Sequence, residues 1–420
     1  MTLLAGLIDT RPLSENPAFR RLWLGTTASG FGGMISTFAV TFYVWEASRS
    51  TALVGLIGLF VAAPMIGVAL LGSAFADQVD RRKLALSTTW AQIAVSLAMA
   101  GVAAASRDAV WTMLALTAGT SGLAALSAPA KRAFIPSLLP GNRLAAGLAL
   151  NHLSFQLAML LGPAVAGLIT AQWGTTVCFA IDAVTFVAAL TGLYGLPATT
   201  ATPAAGRSGP GAVLDGIRFA IRTPAVRGAL LCDLAATLFA MPVALFPAIN
   251  SEKFGGAPET LGLLTTAIAV GGVIASGLSG YATRGRRPGM VLIGCGTVWG
   301  VSLAAIGITD QFVAVFGLLA VAGAADTWAV VSRGTVVQSL TPESHRGRIA
   351  SLEYVVGVAG PQLGNLRAGL VAAGTSGGAA LAIGGVTCVA GIGLVGALTP
   401  RLRRFTVPVA TESPTPAAAP

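Results

Sequence analysis

TALVGLIGLFVAAPMIGVALLGSAF, residues 51–75, runs from end to end without an Asp, Glu, Lys or Arg. A bilayer core of about 30 Å is crossed by about 20 apolar residues in a helix, so this stretch is long enough to span one. Runs of the same kind recur on both sides of it. Upstream lies 22–45; downstream lie 83–105, 109–130, 144–171 and 174–197. After a break come 226–249, 258–283, 288–307, 311–332, 348–373 and 377–399. The pattern predicts an all-α integral membrane protein with twelve transmembrane helices in two pseudo-symmetric six-helix bundles. The parts are a cytoplasmic segment 1–21, a bundle 22–197, a linker 198–225, a second bundle 226–399 and a disordered cytoplasmic tail 400–420.

Composition excludes the main alternatives. Only 10% of residues are charged against 54% apolar, whereas a soluble domain carries about 25% charge. The 53 glycines suit closely packed membrane helices, and no ten-residue alternation suggests a barrel. The net charge of +10 is scattered through short loops, so nucleic acid is not an expected partner. Cys178, Cys232, Cys295 and Cys388 sit in apolar runs without metal-like spacing, so no metal is expected. The N-terminus has no h-region or cleavage site of a signal peptide.

The basic residues set an expected orientation. With both ends inside, 22 of the 26 Lys and Arg fall on the cytoplasmic side. Only Arg49, Arg107 and Lys253 fall outside, and Arg367 lies within a helix. That bias follows the positive-inside rule and places a multi-pass chain in the cytoplasmic membrane with both termini cytoplasmic. Within the linker, residues 215–222 read either as a short amphipathic surface helix or as a plain solvated connection.

The halves echo each other at an offset near 201. Lys131 and Arg132, a turn, Arg143 and a helix with Gly162-Pro163 match Arg333, a turn, Arg346 and a helix with Gly360-Pro361. Repeated halves with substrate bound between them are typical of secondary transporters.

Residues 72–83 read Gly72-Ser-Ala-Phe-Ala-Asp77-Gln-Val-Asp80-Arg81-Arg82-Lys83. Small residues let a helix end pack closely, Asp77 can cap or pair at a gate, and the arginines can anchor at anionic headgroups. The segment resembles the cytoplasmic signature of the major facilitator superfamily, roughly Gly-x-Leu-Ala-Asp-Arg-x-Gly-Arg-Arg. It departs at Ser73, Gln78 and Asp80, and its Asp-Arg-Arg ending looks like the drug and siderophore exporter branch. Asn16-Pro-Ala-Phe-Arg20, Gly216-Ile-Arg-Phe, Leu245-Phe-Pro-Ala, Arg287-Pro-Gly and residues 338–348 extend the resemblance along nearly the whole chain. It implies export of a siderophore or related small molecule, although macrolide and lysophospholipid transporters share these short elements. Gly162-Pro163-Ala-Val-Ala-Gly167 is similar to the antiporter signature, with Ala158 and Ala166 where glycine is expected.

Ionisable residues inside membrane helices are costly and therefore candidates for function. Asp233, Asp326 and Glu353 are candidate proton carriers, with His152, which sits 201 positions before Glu353, as a partner. Arg132, Arg333 and Arg367 are candidate charge partners. Arg333 shares a helix face with Asp326, Glu353 can pair with Arg132 or Arg81, and Arg367 can balance an acid or snorkel. Asp182 reads as a hydrogen-bonding or cavity-facing residue. Trp23, Phe31, Phe38 and Trp45 read as packing or interface anchors.

No Gly-x-x-x-x-Gly-Lys-[Ser/Thr] is present, so no ATP drive is expected. The expectation is a monomeric, non-enzymatic secondary transporter without a cofactor. It exports a small hydrophobic or amphipathic molecule by alternating access, driven by the proton gradient. An importer or lysophospholipid flippase of the same fold is the alternative; a membrane-embedded enzyme or scaffold would need a catalytic cluster that the scattered acids do not form.

Overall fold

A computed structural model describes residues 9–71, 80–196, 210–278 and 287–406. Among them every regular element is helical. The first half contains α1 (Pro17–Ser48), α2 (Thr51–Leu71), α3 (Arg81–Ala105), α4 (Val110–Leu138) and α5 (Gly141–Tyr194). A linker helix, α6 (Pro210–Arg222), leads to α7 (Pro224–Phe239) and α8 (Phe246–Lys253). The second half continues with α9 (Pro258–Gly277), α10 (Pro288–Gly307), α11 (Phe312–Leu340), α12 (Arg346–Ala373) and α13 (Gly377–Leu398).

Local chemistry marks the starts. The Asn16 side chain accepts from the Phe19 amide at 2.9 Å and caps α1. Asp80 does the same for α3, accepting from Arg82 and Lys83, and Ser376 caps α13 through the Ala379 amide. Each satisfies amide groups that a first helical turn leaves unpaired. Pro17, Pro224, Pro258 and Pro288 open their helices, where a missing N–H costs nothing.

Nine helical stretches among the described residues are long and apolar enough to cross a bilayer. One of them, α5, breaks in two at Gly174, whose φ of 80° lies where side chains are strained. Two more helices, α1 and α12, have the length but carry more polar residues. The outer faces are apolar, with Trp173, Val184, Val313 and Leu398 exposed.

Two predicted ends extend toward the basic loops. The span expected at 109–130 continues to Leu138, and the one at 311–332 continues to Leu340. Both overhang on the side of the basic loops. The seventh span is not continuous: α7 stops at Phe239, and a short 3-10 turn, Val243–Leu245, precedes α8. Two groups freed by the break find partners. The Ala240 carbonyl accepts from Trp299 Nε1 at 3.2 Å, and the Ala244 amide donates to Asn365 Oδ1 at 3.1 Å. Such pairing is what a bilayer requires of interrupted helices.

Residues 210–222 of the linker are helical. Asp215 lies 3.6 Å from Arg348, and the Phe219 and His345 rings sit 5.1 Å apart, tying α6 to the start of α12. The tail expected to be disordered from 400 instead begins with a short helix, Pro400–Arg403, whose Leu402 is buried against Gly228 and Gly289; beyond 406 it lies outside the described residues.

The halves meet along two seams, α2 against α12 and α5 against α9. In the first, Thr51 Oγ1 donates to the Gly369 carbonyl at 2.9 Å, and a Cβ on Gly55 would sit 2.7 Å from the Asn365 carbonyl. In the second, a Cβ on Gly167 would meet the Pro258 carbonyl at 2.6 Å, and one on Gly262 the Pro163 carbonyl at 2.6 Å. These contacts lie toward the end of the molecule away from the basic loops. Backbone-to-backbone approach of this kind needs residues without side chains.

Candidate functional site

Three helices of the second half converge their charges. Asp233 on α7 forms an ion pair with Arg333 on α11, and both side chains are mostly buried, at 13% and 16% accessibility. Glu353 on α12 and Asp326, two turns before Arg333 on α11, lie within electrostatic reach of both members of that pair. Asp326 is exposed on α11. Arg333 Nε is buried and has no acceptor among the described residues. The guanidinium therefore holds one carboxylate and keeps a donor for another. Asp233, Asp326 and Glu353, three residues scattered in sequence, thus form one electrostatic unit. The described residues hold no group of His, Cys, Asp or Glu arranged for a metal ion.

The partner assignments change. Arg333 pairs with Asp233 across helices, not with Asp326 along its own. Among the described residues Glu353 forms no ion pair, so the expected bridges to Arg132 and Arg81 are absent there. Arg367 balances no acid: it donates to the Phe239 carbonyl and lies over the Phe239 ring, 5.6 Å from its centroid. It thereby caps the broken end of α7, a task set by a break that hydropathy does not reveal. His152 is exposed and takes part in no ion pair or hydrogen bond among the described residues. The repeat that aligned it with Glu353 aligned helices, not side-chain roles.

Of the loop motif, Gly72 and Asp77 lie outside the described residues. Asp80 is the α3 cap, and Arg82 donates to the Tyr194 carbonyl at the end of α5. Arg81 forms no ion pair among the described residues. Gly162, Pro163 and Gly167 act through packing: a Cβ on Gly162 would meet Met34 of α1 at 2.5 Å, while Pro163 and Gly167 face α9 across the seam. The stretch lets α5 sit closely between its own bundle and the opposite half.

Asp182 is fully buried between α1, α3 and the second part of α5. Its Oδ2 accepts from Ser96 Oγ at 2.7 Å, and Oδ1 has no hydrogen-bond partner among the described residues. This is the helix-bridging role the sequence allowed it.

Charges gathered within a helical membrane fold, whose halves join through glycine seams, fit a multi-pass transporter. The comparisons agree. Residues 10–413 match the model of the family described as transmembrane secretion effector, and the chain belongs to that family. It is 26% identical over 410 residues to the enterobactin exporter EntS of Shigella boydii, covering 97% of this chain and 98% of that one. Among solved structures, a bacterial homologue of the iron transporter ferroportin in its inward-facing state superposes with a TM-score of 0.72 at 16% identity. It covers 92% of this chain and 99% of that one. A mutant of the nucleoside transporter NupG superposes with a TM-score of 0.75 at 11% identity, covering 91% and 99%. These likenesses establish the major facilitator fold.

Proposed function

We propose that this chain exports a small hydrophobic or amphipathic molecule, of the siderophore or drug-like class, across the cytoplasmic membrane in exchange for protons. The exporter direction and cargo class rest on family membership and on the similarity to EntS. The proton coupling rests on one observation: Asp233 and Arg333 form a mostly buried ion pair in the second half, on helices that neighbour or carry Asp326 and Glu353.

Alternating access then works as follows. The bundles 22–197 and 226–399 rock about their glycine seams, and the basic loops face the cytoplasm with both termini inside. With the seams closed at the far end, cargo enters from the basic side. A proton arriving on Asp233 neutralises the carboxylate and frees Arg333. The guanidinium turns to Asp326 or Glu353, and that change in packing between α7, α11 and α12 favours the opposite state. Burial makes each exchange costly unless a partner is at hand, so charge movement and helix movement occur together. The chain works as a monomer, with the proton gradient as its only energy source and no enzymatic step.

The test is accumulation of a panel of siderophores and drugs in a pump-deficient host expressing the chain. Lower accumulation that is abolished by a protonophore is expected. Export that survives collapse of the gradient would refute the antiport, and no change for any panel member would refute the cargo class.

A further inference from the structure

A second charged feature lies in the first half, apart from the acids. A cavity of about 220 Å³ opens between α1, α4 and α5 near the basic end. Lys131 and Arg132 line it, and neither has an ion-pair or hydrogen-bond partner among the described residues. Asn151 and Phe155 of α5 line it as well, and no Asp or Glu does. Two further lining residues present orphaned polar atoms: Trp23 Nε1 and Thr27 Oγ1 are buried and unpaired.

The charged part of the inventory is one-sided, while Thr26, Thr27, Asn151 and Ser154 are neutral groups that can also accept. Lysine, arginine and indole N–H groups can only donate. Lys131 is partly buried without an anion and carries a desolvation cost that no carboxylate of the wall offsets, while Arg132 is exposed. Aromatic faces on Trp23, Phe155 and Phe19 supply the apolar part of the wall. The volume is below the roughly 300–1,000 Å³ of a whole-ligand pocket, so it suits one group of a larger molecule.

We infer that this cavity is a subsite for an anionic group carried on an aromatic or apolar body, with Lys131 and Arg132 as its charge partners. It deepens the exporter reading, on which it rests, by separating two tasks: anion recognition in the first half and proton handling in the second. A free cargo and an anionic lipid headgroup share this chemistry.

The test uses the full chain in phosphatidylcholine nanodiscs, titrated with 2-naphthoate and separately with the uncharged 2-naphthamide. The carboxylate is expected to bind about tenfold more tightly, the scale of charge-assisted hydrogen bonds. K131Q and R132Q each bring it toward the affinity of the amide. K131R keeps the preference, which shows that charge rather than folding is read. R401Q, an equal loss of charge outside the cavity, leaves it unchanged. Absent or equal binding of naphthoate by the wild-type chain, or a preference that K131Q/R132Q retains, overturns the assignment. Adding phosphatidylglycerol separates the sources, since displacement of naphthoate assigns the anion to lipid and its persistence assigns it to cargo; either supports an anion site. Because transport is not read, selective binding without export faults only the exporter reading, and export without anion preference faults only this subsite.

Discussion

Asp233 and Arg333 hold each other in a setting that neither could occupy alone. Removing one partner of a buried pair strands the other, which in fully buried cases costs roughly 3–5 kcal/mol. Here the side chains keep 13% and 16% accessibility, so Asp233→Asn should cost about 3 kcal/mol at most. It should also abolish gradient-driven transport. Arg333→Gln should behave alike. The double variant should recover much of the stability without recovering coupling, as a thermal melt beside a transport assay would show. Asp182 makes the opposite case. Asp182→Asn keeps an acceptor for Ser96 and should leave transport unchanged, whereas Asp182→Ala should lower stability by roughly 1–3 kcal/mol. If Asp182→Asn stops transport while the protein remains folded, Asp182 belongs to the proton path. The three acids of the cluster were legible in the sequence because charge inside an apolar run is rare. Their partners were not, because pairing depends on how helices turn toward each other. Lys131 shows how a boundary misleads: ending the span at 130 made it a loop residue, while α4 continues to Leu138 and turns it into a cavity wall.

At the scale of elements, hydropathy located the helices and missed what happens to their backbones. The break between Phe239 and Phe246 leaves an apolar run apolar, so no hydropathy window registers it. Pro242 and Pro247 were the available signals. The seams were half visible: Gly162-Pro163 and Gly167 drew attention as a motif, but Gly55, Gly262 and Gly369 look like any other glycine in a membrane helix. Their role appears only when two backbones are set side by side. Gly167→Val would place carbon against the Pro258 carbonyl, which has no side-chain freedom with which to yield. Expected is a chain that inserts in the membrane but has lost most of its transport, with weaker disulfide cross-linking between cysteines introduced on α5 and α9. Normal cross-linking and normal transport in that variant would show that the seam tolerates separation.

For the whole molecule, the charge asymmetry is sharper than a count suggests. Two of the three basic residues on the sparse side are occupied locally. Arg49 pairs with Glu46 at 2.9 Å, and Lys253 donates to the Ile306, Gly307 and Thr309 carbonyls at the end of α10 while pairing with Asp310. Such a cation at a helix C-terminus answers the unpaired carbonyls there. The free positive charge therefore lies almost wholly at the other end, beside the loops proposed to face the cytoplasm. What joins these features into a machine is the claim that protons move through the second half as cargo moves out. The most direct measurement is internal pH in proteoliposomes holding the purified chain and a pH-sensitive dye, followed as an exported panel compound is added under an imposed proton gradient. The account predicts compound-dependent proton flux in the wild-type chain and none in Asp233→Asn. Transport of the compound with no accompanying proton flux in the wild-type chain would contradict it.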